Sequence, residues 1–254
     1  MRCYVIAEAG VNHNGSGELA LKLVETAAKA GADAVKFQTF KAETLVAKGT
    51  ATAEYQKRQT RSDDQYAMLK ELELSEDVHR KLIAHCQKHN IEFMSTPFDI
   101  GAAKFLHELG MERLKVPSGE LTNLPYIRSL SEFNKRMILS TGMSSMEEVI
   151  EAVVAIQEVR TDNNFTEPLH QKLTLLHCTS NYPARIENVN LNAMQTMARE
   201  LELPVGYSDH TEGVLVASCA VAMGAVIIEK HFTLDRNMPG PDHRASLEPG
   251  ELQM

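Results

Sequence analysis

The chain has 254 residues, with 26 Lys and Arg against 34 Asp and Glu, a net charge of −8 and 43% hydrophobic residues. That length suits one large α/β barrel or two small domains of roughly 100–150 residues each. The apolar share predicts a packed core, and the acidic balance argues against a protein that coats nucleic acid, which needs a basic footprint. No run approaches the roughly 18 apolar residues of a membrane span. The start, MRCYVIAEAG, lacks the length and cleavage pattern of a signal peptide. Cys3, Cys86, Cys178 and Cys219 are scattered without a CxxC pair, which reads as buried or partly buried thiols of a cytoplasmic protein.

Short β-rich runs alternate with helical stretches along the whole chain. A strand over 4–9 leads to a helix over 18–29, with Leu19, Leu23, Ala27 and Ala30 on one face and Gly31 as its stop. After a strand over 34–38 comes a long polar excursion over 39–74, a length that marks functional or mobile loops. Ser75 opens a helix with Glu76 and Asp77 in its first turn, and a strand over 92–95 follows. Asp99 caps a helix over 100–109, and strands over 113–116 and 136–139 come next. Ser144 or Ser145 caps a helix carrying Glu147 and Glu148. Strands over 173–177, 204–207 and 225–230 alternate with helices over 193–200 and 213–223. Eight strands with at least six helices and no domain break predict a single α/β domain over 1–254, a closed parallel TIM (β/α)8 barrel. Residues 248–252 look ready to start a helix just where the sequence stops, so the eighth helix is expected to be truncated or missing. Outward residues among Val5, Ala7, Val226 and Ile228 would then lie bare.

The active site of such a barrel lies at the C-terminal ends of its strands. Polar groups occur at every one of them. Glu8 comes first, followed by Asn12-His13-Asn14-Gly15, then Lys36 and Gln38, then Ser95 and Thr96. Lys115, Ser118 and Glu120 follow the fourth strand, and Ser140 and Thr141 the fifth. The last three strands bring His177, Ser180, Asn181 and Tyr182, then Ser208, Asp209 and His210, then Glu229 and His231. His210 and His231 stand at neighbouring strand ends, and two neutral imidazoles with open positions suit a divalent ion such as Mn or Zn. Each could equally be a hydrogen-bonded loop histidine. His79, His85, His89, His107 and His170 read as solvated helix or surface groups. Lys36 and Lys115 interrupt apolar strands, where a lysine needs a partner. Three readings follow: a Schiff-base amine, a clamp for an anionic ligand, or an internal ion pair with Glu8 or Glu120. Ser118-Gly119, Ser140-Thr141-Gly142 and Ser208 offer hydroxyls and free amides for phosphate oxygens. Glu8, Glu120 and Asp242 are carboxylates placed to move protons or bind sugar hydroxyls. The charged run over 57–64 reads as a solvated face, and Met143, Met146 and Met223 as packing.

The runs IAEAGVNHNG, AVKFQTF, STPFD, KVPSGE, LSTGMSS, LHCTSNYP, GYSDHTEG, EKHFTLD and PGPDHRASLEP together resemble the bacterial sialic acid synthase family, which includes N-acetylneuraminate and legionaminic acid synthases. The resemblance runs in order from residue 4 onward. It implies a TIM barrel followed by a small antifreeze-like domain, which these residues do not contain. It also implies condensation of phosphoenolpyruvate with an open-chain N-acetylmannosamine-type sugar, releasing phosphate and forming a nonulosonic acid. By the same resemblance His210 and His231 hold a divalent metal, usually Mn2+, with Mg2+ or Co2+ as alternatives. Lys36 and Lys115 would hold phosphoenolpyruvate, with Ser118, Ser140 and Ser208 on its phosphate. Glu8, Gln38, Tyr182 and Asp242 match positions around the sugar, and Glu120 matches an acid/base near the metal-bound water. A homodimer of the full-length protein is implied, in which the missing domain supplies an Arg to the partner's sugar site. Ser180 departs from relatives that carry Asn there. The competing readings are a deoxy-heptulosonate or deoxy-octulosonate phosphate synthase, for which Lys57, Arg58 and Arg61 could bind a sugar phosphate, and a non-catalytic ligand-binding barrel.

Overall fold

The computed structural model describes residues 2–51 and 64–254. Lys57, Arg58 and Arg61 lie outside the described residues. Eight strands run as β1 Tyr4–Gly10, β2 Ala34–Thr39, β3 Glu92–Pro97, β4 Arg113–Val116, β5 Arg136–Ser140, β6 Leu173–Cys178, β7 Val205–Asp209 and β8 Ile227–His231. Every ladder is parallel, in the order β3-β2-β1-β8-β7-β6-β5-β4, and β3 and β4 lie side by side where that order closes. This is the expected TIM barrel, nearly closed.

The helices start and stop for local reasons. The first, α1 (Gly17–Ala30), begins at Ser16, whose hydroxyl accepts from the Leu19 amide, and ends at Gly31 in the left-handed region. The described residues of the excursion after β2 include the short helices α2 (Ala42–Leu45) and α3 (Gln65–Glu71). The outer ring continues with α4 (Glu76–Lys88), α5 (Ile100–Glu108), α6 (Leu124–Ser131) and α7 (Met146–Asp162). It is completed by α8 (Leu169–Lys172), α9 (Asn192–Leu201), α10 (Leu215–Ala222) and α11 (Pro249–Leu252). Ser145 rather than Ser144 caps α7, in a reciprocal box with Glu148. The sequence reading passes over α6, although Asn123 caps it and a proline stands in its first turn.

Side chains alternate between two environments along each strand. One set, including Ala7, Val35, Phe37, Leu114, Leu139, Leu175, Tyr207 and Ile228, packs outward into the core beneath the helices. The other set points into the barrel. Ile6, Ala34, Met94, Ile138, Leu176 and Ile227 form a separate buried cluster that floors the barrel interior. The candidate site stands on that floor.

Three expectations need correction. Ala7 and Ile228 are not bare: both are buried in the outer core, Leu252 of α11 packs against it, and α11 lies on α1. Val5 and Val226 remain half-buried. His79 is not solvated: it projects from the apolar face of α4, with its ring between the Thr39 hydroxyl and the Ser75 carbonyl. Cys219 is exposed, while Cys86 and Cys178 are buried and Cys3 is half-buried. Among the described residues no helix is long and apolar enough to cross a membrane.

Candidate active site

Two residues beyond the apolar floor, each inward-facing position changes character. Ile6 gives way to Glu8, Ala34 to Lys36 and then Gln38, Met94 to Thr96, Ile138 to Ser140, and Leu176 to Cys178. Ile227 gives way to Glu229 and then His231, and Ser208 and His210 hold the same parity on β7. These side chains line a cleft of about 770 Å³ at the C-terminal mouth of the barrel, together with Lys115, Ser118, Ser180, Tyr182 and Asp242. Polar residues of the opposite parity turn away. His177 meets the Val189 carbonyl, and Asp209 pairs with Lys230 beneath the outer helices.

The two lysines share one carboxylate. Lys36 Nζ lies 2.6 Å from Glu8 Oε2 and 3.6 Å from Glu229 Oε2, and donates to Thr96 Oγ1 at 3.0 Å. Lys115 Nζ lies 3.7 Å from Glu229 Oε1 and donates to Ser140 Oγ at 2.8 Å. Glu229 also accepts from Ser208 Oγ at 3.0 Å. Lys36 thus has the internal partner expected in Glu8, whereas Lys115 pairs with Glu229 instead of Glu8 or Glu120. Burial resists the charge on Glu229, yet the Lys115 and Lys36 ammoniums outweigh it and hold the carboxyl down to about 2. For Glu8, burial wins over the neighbouring Lys36, and with Glu229 adding repulsion its pKa rises to about 7. Desolvation lowers Lys115, and it raises Asp242 to about 6. Two buried carboxyls with pKa values driven apart can divide acid and charge-holding duties.

Two residues after Ser140, the backbone at Gly142 packs tightly against a cradle of side chains. Gly142 donates its amide to Ser118 Oγ at 2.9 Å, and that hydroxyl lies 3.1 Å from Cys178 Sγ. A Cβ on Gly142 would come within 2.5 Å of Ser180 Oγ, 2.8 Å of Cys178 Sγ and 2.9 Å of Ser118 Oγ, so a side chain here would have to displace those groups. On the opposite side, Gly10 sits at a bulge of β1 with φ of +51°, where Glu8, Gln38 and Asp242 converge. Gln38 Nε2 donates to Glu8 Oε1 at 3.4 Å.

His210 and His231 come together, with ring centroids 5.6 Å apart, and the Tyr182 ring packs against His210 at 4.2 Å, tilted by 35°. The Nδ1 of His210 lies 2.7 Å from the Thr179 carbonyl, which makes that nitrogen the donor and leaves the Nε2 lone pair facing the cleft, 3.4 Å from Ser208 Oγ. Burial lowers both imidazoles, His231 strongly, so both stay neutral, and His231 Nδ1 is buried without a hydrogen-bond partner. A neutral pair with one orphaned nitrogen, next to an anionic Glu229, fits a divalent metal. Glu120 stands apart from this assembly. It lies on the 3-10 turn Ser118–Glu120, accepts from Asn123 Nδ2 at 2.7 Å and is not among the cleft residues.

Residues 23–254 match the NeuB family model. The chain belongs to the NeuB family. The N,N'-diacetyllegionaminic acid synthase of Legionella pneumophila is 54% identical over all of this chain and 70% of its own length. The enzyme of the same name from Campylobacter jejuni is 51% identical over 98% of this chain and 73% of its own length. Among solved structures, an N-acetylneuraminic acid synthetase from Leptospira borgpetersenii, in complex with citrate, is 35% identical. It superposes with a TM-score of 0.85 over 100% of this chain and 81% of that one. This NeuB family member is therefore an enzyme of the sialic and legionaminic acid synthase type.

The sequence reading gave Glu229 and Cys178 no role, although both line the cleft. The signal was present: Glu229 lies midway between the floor residue Ile227 and the ligand candidate His231, in strict steps of two.

Proposed function

We propose that this chain condenses phosphoenolpyruvate with an open-chain N-acetylmannosamine-type sugar, giving a nonulosonic acid and phosphate, with a divalent metal on His210 and His231. The observation that carries the reading is the pair of buried lysines converging on Glu229 beside the Gly142 cradle. Such a cluster opposes the carboxylate and phosphate of one small, highly charged substrate. Ser118, Ser140 and Ser208 supply hydroxyls to its oxygens. Glu8, Gln38, Tyr182 and Asp242 face the sugar.

The enol carbon of phosphoenolpyruvate attacks the sugar aldehyde, and the new carbon–carbon bond leaves a cation-like centre at the phosphate-bearing carbon. Glu8, whose pKa burial raises toward neutrality, is the acid that gives its proton to the aldehyde oxygen. Water adds to the cationic centre and returns a proton to Glu8, and the tetrahedral intermediate collapses to the ketone, with phosphate carrying away the remaining hydroxyl proton. A bound metal supplies Lewis acidity to the aldehyde. We assign the proton transfer to Glu8 rather than Glu120 because Glu120 is engaged by Asn123 away from the cleft.

The names of the relatives favour a diacetylated amino sugar, and the cleft offers an apolar wall of Val11, Phe40, Met68 and Leu72 for acetyl methyls. The implied homodimer belongs to the same proposal. The test is phosphate release from phosphoenolpyruvate with a panel of mono- and diacetylated amino sugars and with arabinose 5-phosphate. It is run after chelation and after restoring Mn2+, alongside calorimetric binding of phosphoenolpyruvate. Binding together with Mn2+-dependent release on an amino sugar supports the reading. Phosphoenolpyruvate that fails to bind, or turnover only with the sugar phosphate, overturns it.

A further inference from the structure

We propose that Glu25, His85 and His89 form a second metal site, on the outside of the barrel, for a borderline divalent ion such as Zn2+. His85 and His89 are four residues apart, one helical turn, so both imidazoles project from the same side of α4 and its C-terminal cap. Their ring centroids lie 4.6 Å apart. Glu25 reaches across from α1, placing Oε1 2.9 Å from His85 Nε2. One ligand atom from each residue lies within 4.8 Å of the other two, and among the described residues no other trio of His, Cys, Asp or Glu does this.

The two helices hold the ligands in place. They pack side by side, with Leu23, Val24 and Ala27 of α1 and His79, Leu82 and Cys86 of α4 buried beneath them. The ligands therefore stand on elements fixed by the core, not on loops. The imidazoles also sit at the C-terminal end of α4, where the carbonyls of His85, Cys86 and Gln87 gather around the His89 amide. That is the negative end of the helix, which favours a cation. Two imidazoles and one carboxylate form a three-ligand zinc set, with water completing the shell on the solvent side. Ions that prefer all-oxygen shells gain less here, so this site separates chemically from one loaded with Mn2+. An ion here would tie the first helix of the barrel to the helix before β3, some distance from the chemistry.

The experiment titrates Zn2+ calorimetrically into wild-type protein and into H85A/H89A, with metal-free melts of both to establish that the variant folds. Wild type should bind one equivalent more than the variant. At a hundredfold excess over Kd the wild-type Tm should rise by about 5 °C beyond the shift seen in the variant. Copper EPR provides an independent measurement: the wild-type spectrum should contain one more two-imidazole centre than E25Q/H85A/H89A, which retains His210 and His231. Equal Zn2+ stoichiometry in wild type and H85A/H89A overturns the proposal. So does a copper spectrum from which the triple substitution removes no two-imidazole centre.

Discussion

Lys230 and Asp209 form a buried clamp between β7 and β8, directly behind the residues that carry His210 and His231. They are register partners, with Lys230 Nζ 2.8 Å from Asp209 Oδ2 and side-chain exposures of 3% and 0%. Asp209 Oδ1 is occupied by the amide and hydroxyl of Thr211, at 2.8 Å each, so its other oxygen depends on the lysine. Lys230→Met keeps the apolar stem and strands the carboxylate. Breaking a buried pair from one side costs about 3–5 kcal/mol. With an unfolding entropy of about 2.1 cal/mol/K per residue, a chain of this length has about 0.5 kcal/mol/K, so Tm should fall by roughly 6–9 °C. Differential scanning calorimetry at pH 7.5 measures this. The double variant K230M/D209L, which removes both charges, should recover most of the loss, because the lost energy is mainly desolvated charge left without a partner. A Lys230→Met melt within about 2 °C of wild type, or a double variant less stable than the single, refutes the reasoning.

Lys115→Met should weaken phosphoenolpyruvate binding by roughly 10- to 100-fold, the worth of one or two charge-assisted hydrogen bonds, while amino-sugar binding stays within about threefold. Calorimetry with each ligand separates the two, and equal losses would mark the lysine as structural. Gly142→Ala should raise the KM for phosphoenolpyruvate at least tenfold, roughly the loss of one such hydrogen bond, with little change in Tm, because its Cβ meets only the hydroxyls and thiol of the cradle. A KM unchanged from wild type would show that the cradle does not hold substrate. Burial lowers His243 from 6.5 to about 4, so the unfolded chain takes up its proton first as pH falls. The stability this imidazole contributes is therefore present above pH 6.5 and lost on the way to pH 4. Urea melts of wild type minus His243→Gln should show that difference shrinking across the window, which isolates the histidine from Glu8 and Asp242, whose raised values act with the opposite sign. A difference that stays constant with pH would contradict the assignment.

Much of the barrel is legible in the sequence because strand and helix periods differ, and β4 is delimited identically in the chain and in the structure. The misreadings have a common cause. His79 looks like a surface group by residue type, yet it shares the spacing of Leu82 and Cys86, which places it on the apolar face of α4. There Thr39 and Ser95, outward-facing on β2 and β3, satisfy its ring through a buried hydroxyl pair. Partners separated by 40 residues in the chain leave no local trace. The site residues were visible for the opposite reason, since a lysine or glutamate inside an apolar strand stands out without knowledge of its partner. Which carboxylate Lys115 meets depends on barrel closure, and the sequence offered Glu8 and Glu120 where the structure supplies Glu229.

The step of two residues from apolar floor to charged layer also governs how this protein can tolerate changes of length. Deleting or inserting a single residue within β1, β2 or β8 would rotate every later side chain of that strand by half a turn. Glu8, Lys36 or Glu229 would then enter the oily seam under the helices, and Ala7, Val35 or Ile228 would take over the mouth of the barrel. The connecting segments carry no such parity. Length variation among functional relatives should therefore collect between the strands and spare the strand interiors.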